Sequence, residues 1–103
     1  MELTAEKLQE LKDKYGDLFQ ASRRGNVYIF RYPKRGEWKV FRQSVTDNKS
    51  TAIETLVGVC LVYPTLNEMW AIADKDVALV DFIGGQLVQS ITEDDQETQG
   101  KKI

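Results

Sequence analysis

Apolar and polar positions change period several times along this chain, and each change marks an element. Leu8, Leu11 and Tyr15 line one face of a charged segment that Thr4 can cap, with Glu6 in its first turn, so a helix is expected from Thr4 to Tyr15. Gly16 supplies a left-handed stop. Residues 18–23 (LFQASR) and 27–32 (VYIFRY) then read as two strands around Arg24-Gly25-Asn26, a β-hairpin, and Pro33 removes the amide that a longer ladder would need.

The helical period returns with Trp38, Phe41 and Val45, while Lys39, Arg42 and Gln43 fill the wet face, which predicts an amphipathic helix over 36–46. After the loop Asp47-Asn48-Lys49-Ser50, the set Ile53, Leu56, Val57, Cys60 and Leu61 predicts a central buried helix, widened by Val59 and Val62 and running to Tyr63. Pro64 biases Tyr63 away from helical dihedrals, and Thr65 with Glu68 forms a capping box, so Tyr63-Pro64 reads as a hinge between a third and a fourth helix. Leu66, Met69, Trp70 and Ala73 give the fourth a short apolar face. Asp74-Lys75-Asp76 is expected to cap a fifth helix carrying Val77, Val80, Ile83, Leu87 and Ile91.

The fold class expected is therefore α+β, mostly helical with four to five helices, an N-terminal β-hairpin and a flexible acidic C-terminal tail. Residues 1–91 form the single globular domain and 92–103 the disordered tail, where no apolar periodicity survives. Two glycine features go against helix propensity. Gly58 costs about 1 kcal/mol and Gly84-Gly85 about 2 kcal/mol relative to alanine; close passage of another backbone is expected at Gly58, and at Gly84-Gly85 either a kink in the helix or, preferred, close packing against a neighbour.

Composition narrows the class without supplying a chemistry. At 103 residues with 42% apolar and 29% charged side chains, the chain has the makeup of one soluble domain. Neither a membrane span nor an export leader is read, which favours a reducing cytoplasm. The net charge of −2 arises wholly in the tail, where Glu93, Asp94, Asp95 and Glu97 stand against Lys101 and Lys102.

Cys60, the single cysteine, sits between Val59 and Leu61 in a chain without histidine, so it reads as core and not as a nucleophile or zinc ligand. Asp74, Asp76 and the tail acids lack the spacing of a calcium loop, and Gly84-Gly85 lacks the pattern of a phosphate loop. No catalytic residue, metal site or cofactor is expected, and the chain is read as not an enzyme.

The densest charge lies in 23–42, where Arg23, Arg24, Arg31, Lys34, Arg35, Lys39 and Arg42 meet one acid, Glu37, with Tyr28, Phe30, Tyr32, Trp38 and Phe41 interleaved. Cations beside aromatic rings are one design for single-stranded nucleic acid. The alternation of Tyr28, Phe30 and Tyr32 equally suits a strand face roofed by helices, which leaves the cations to solvate the surface or to dock an acidic partner.

The stretches YIFRYPKRGEWKVF, AIETLVGVCLVYPTLNEMW and ADKDVALVDFIGGQLVQSI, in that order after a charged helix, resemble the tail assembly chaperones of long-tailed bacteriophages. The resemblance implies a non-enzymatic protein of the host cytoplasm that binds the tape-measure protein, recruits tail-tube subunits and self-associates as a homo-oligomer. It further implies, at Gln99-Gly100-Lys101, a place where ribosomal frameshifting could extend the product. For such a role Trp38, Phe41, Met69 and Trp70 are the expected partner-binding residues, with Arg31, Lys34, Arg35, Lys39 and Arg42 available for electrostatic docking. A small nucleic-acid-binding module using 23–42, or a minor virion structural protein, is the alternative; nucleic acid and membrane are the less expected partners.

Overall fold

The computed structural model describes residues 4–92 and the backbone of Lys101 and Lys102. In chain order the elements are α1 (Ala5–Tyr15), β1 (Leu18–Arg23), β2 (Asn26–Arg31), α2 (Arg35–Ser44), α3 (Lys49–Cys60), β3 (Leu61–Tyr63), α4 (Leu66–Ala73), α5 (Leu79–Thr92) and β4 (Lys101–Lys102). The fold is α+β and dominated by helices, with the hairpin at its N-terminal end. The expected disordered tail falls largely on residues 93–100 and 103, which lie outside the described residues, as do Gln99 and Gly100 of the expected frameshift site. Lys101 and Lys102 pair with Gln20 and Phe19 at the outer edge of β1.

The local causes are mostly short-range. Thr4 accepts the Lys7 amide and caps α1, and Gly16 closes it at φ 81°. Asn48 caps α3 by accepting the Thr51 amide at 3.0 Å. Thr65 and Glu68 exchange the two hydrogen bonds of a capping box at 3.2 and 3.3 Å, so α4 starts where the sequence places it.

The hairpin pairs Arg23 with Asn26, leaving Arg24-Gly25 as a two-residue turn. Both residues have positive φ, 52° and 81°, the hand that matches the twist of the flanking strands.

Direct cross-strand pairing sorts the sheet into two faces. Phe19 opposite Phe30 and Ala21 opposite Tyr28 point toward the main core, where they meet Phe41 of α2, Leu56 and Val57 of α3, Met69 of α4 and Ile83 and Leu87 of α5. The other face carries Leu18 and Ile29, which pack with Leu11 of α1 and Tyr63 in a second, smaller core. Among the described residues the sheet is thus a middle layer, with α1 on one side and the other helices on the other.

Several expectations are corrected. The central helix ends at Cys60, and Leu61–Tyr63 is strand β3, antiparallel to β2, with Leu61 opposite Phe30 and Tyr63 opposite Ile29. An unbroken apolar run does not separate a buried helix from a buried strand, and here the open edge of β2 takes the last three residues. Tyr63-Pro64, a cis peptide, accordingly joins a strand to α4 instead of hinging two helices.

The fifth helix starts at Leu79, which leaves Val77 in the preceding turn and 90% exposed. Gly58 faces open space, so no neighbour approaches it. Gly84 does meet one, because a Cβ there would collide with the Ile53 side chain, whereas Gly85 is open.

Candidate functional site

Two helices laid side by side expose the clearest apolar cleft of the described molecule. On α2, Glu37, Val40, Phe41 and Ser44 recur at i, i+3, i+4 and i+7; on α3, Ala52, Thr55, Leu56 and Val59 repeat the same spacing. The two stripes enclose about 360 Å³, within the ordinary range of ligand sites. Phe41 and Leu56 form a buried floor, while Val40 and Val59 stand on the walls, 55% and 40% exposed. Asp47, Asn48 and Thr51 close one end with polar groups. An apolar slot with a polar rim suits side chains from another polypeptide.

The wall at Glu37 is held rigidly. Its carboxylate takes two parallel hydrogen bonds from the Arg31 guanidinium, both 2.9 Å, and one from the Lys34 amide at 2.7 Å. The Arg31 pair, then the Lys34 amide, hold this carboxyl down at about 2, far below its usual 4.5. Strand β2 is thereby tied to the first turn of α2, which fixes the slope of the cleft's wall.

The four expected partner-binding residues do not converge. Phe41 reaches the cleft floor. Trp38 stacks on Phe41, ring centroids 5.1 Å apart, and packs against the main core, but it lines a separate depression and not the cleft. Met69 is fully buried in the main core, so it lines no surface groove, and Trp70 stands 37% exposed on α4 beside Leu66. Val40 and Val59 are wall residues outside the expected partner-binding set: Val40 belongs to a second helical stripe of α2, at 37, 40, 41 and 44, which the stronger Trp38-Phe41-Val45 pattern masks, and Val59 widens the apolar face of α3.

The expected electrostatic set divides as well. Arg31 is consumed by Glu37, whereas Arg35, Lys39 and Arg42 line a depression on the far side of α2 with Trp38. Lys34 is exposed, its backbone amide bound by Glu37. Tyr28 and Phe30 are fully buried and Tyr32 packs against the same core. Strand aromatics therefore offer no stacking platform to single-stranded nucleic acid.

Comparison with known proteins yields a fold. An uncharacterised protein, rbstp2171 from bacillus stearothermophilus, superposes with a TM-score of 0.72 at 23% identity, over 84% of this chain and 92% of that one. No family model matches the chain, and no curated protein does. At that identity the likeness establishes shared architecture and no activity.

Chemistry within the described residues is sparse. Burial pushes the Cys60 thiol up to about 12, which makes it an inert part of the core. No group of three or more Cys, Asp or Glu is placed to hold a metal ion among the described residues, and no described helix is long and apolar enough to cross a membrane.

Proposed function

We propose that this protein is a non-enzymatic bacteriophage tail assembly chaperone that binds the tape-measure protein and recruits tail-tube subunits. The observation that carries the reading is the α2–α3 cleft, whose exposed valines above a buried Phe41 and Leu56 floor form an apolar slot with a polar rim. A long helical client presents apolar side chains at three- and four-residue spacing, and a slot between two helices receives such a row. The order of motifs from residue 28 to residue 91 supports the same role. The reading carries self-association and action in the host cytoplasm with it, and requires no cofactor or bond-making step.

Co-expression tests it. The tape-measure protein is expected to stay in the soluble fraction with the native chain and to precipitate with a Val40→Asp/Val59→Asp variant that retains its circular dichroism spectrum. A client that is insoluble in the presence of the native chain, or equally soluble with the variant, overturns the assignment.

A further inference from the structure

A second cleft, remote in composition from the first, forms where the hairpin turn meets the C-terminal end of α4. It encloses about 380 Å³ and is lined by Arg23, Arg24, Asn26, Tyr28, Lys75 and Asp76, with Ala71 and Ile72 as an apolar side. Arg23 donates to both oxygens of Asp76, at 2.7 and 3.0 Å, and its guanidinium lies 4.9 Å from the Phe82 ring centroid. This pair neutralises itself and fixes one wall.

What remains is a surplus of donors. Arg24 approaches Asp76 only at 3.9 Å and is largely exposed, and Lys75 makes no ion pair among the described residues. Tyr28 lines the same cleft, and the hydroxyl of this fully buried residue has no hydrogen-bond partner among the described residues. The Asn26 side chain lies close by without completing that bond. A buried hydroxyl left unpaired is costly, and one that borders a cleft is relieved by whatever enters it.

We infer that this cleft binds the phosphate group of a small anion, with Arg24, Lys75, Asn26 and the Tyr28 hydroxyl as donors. With the Asp76 carboxylate shared between Arg23 and Arg24, the lining keeps a net surplus of positive charge and of donors, which selects an anionic, acceptor-rich ligand. Charge-assisted hydrogen bonds to phosphate oxygens are stronger than neutral ones. The cleft exceeds the needs of a bare phosphate, which leaves room for a short organic substituent against Ala71 and Ile72. The inference stands apart from the chaperone reading, since none of these residues borders the α2–α3 cleft.

Titration of the ¹⁵N-labelled full chain at constant ionic strength tests it, with inorganic phosphate in one arm and glycerol 3-phosphate in the other. Saturable amide shifts at Arg24, Asn26 and Lys75 are expected. Saturation at lower glycerol 3-phosphate concentration supports a phosphomonoester ligand, and equal saturation supports free phosphate. Tyr28→Phe keeps the buried ring and is expected to weaken binding about tenfold, the scale of one lost hydrogen bond to a charged group. Shifts that fail to saturate, that sodium chloride reproduces, or that Tyr28→Phe leaves unchanged overturn it.

Discussion

Gly84 of α5 lies directly against Ile53 of α3, with no space between them for a Cβ. The pair sets how closely the two longest helices approach. Gly84→Ala therefore forces the Ile53 side chain and the helix apart, and a loss of about 1–3 kcal/mol is expected in urea unfolding. Its neighbour behaves oppositely. Gly85 faces open space, so Gly85→Ala is expected to gain about 1 kcal/mol from helix propensity alone.

The Arg31–Glu37 pair gives the fold an acid-sensitive joint. Glu37 has a folded pKa of about 2 against an ordinary 4.5. The unfolded state therefore binds a proton first as pH falls, and the stabilisation, complete above about 4.5, is lost as pH drops toward 2. Asp76, lowered by its hydrogen bond with Arg23, adds a loss of the same sign. Unfolding measured between pH 5 and pH 2 should fall less steeply for Glu37→Gln than for the native chain, with the remaining slope belonging to Asp76 and the other carboxylates.

Much of the fold is legible in the sequence because its causes are local. Thr4, Gly16, Asn48 and the Thr65–Glu68 box sit within a few residues of the ends they fix, and alternation in VYIFRY leads directly to the buried Tyr28 and Phe30. Leu61–Tyr63 is different. Its strand state depends on the free edge of β2, some thirty positions earlier, which no window along the chain contains. The cleft was half legible for the same reason: Phe41 announces itself by size, but Val40 and Val59 face each other only after α2 and α3 have packed.

The hairpin turn holds a residue with an unfavourable conformation. Arg24 has φ 52°, a region that asparagine tolerates better than a long side chain. Arg24→Asn is expected to raise stability by about 1 kcal/mol in urea unfolding. The same change removes one phosphate donor, so affinity in the second cleft should fall as stability rises, which separates binding from folding.

Wall and core residues of the helical layer should respond in opposite ways. Val40→Asp, at an exposed position, is expected to leave stability within about 0.5 kcal/mol and to abolish retention of the client. Met69→Ala, at a fully buried one, is expected to cost about 2–5 kcal/mol. Thermal unfolding and client pull-down on the two variants read both effects.

Helix α1 reaches the rest of the molecule chiefly through Leu8 and Leu11, on a face of the sheet that no other described helix shares. Its attachment is correspondingly shallow, and local opening there need not disturb the larger core. Beneath this single helix lie Leu18, Val27 and Ile29, so the sheet keeps a second greasy surface on the opposite side from the cleft, screened by α1 rather than by the larger core.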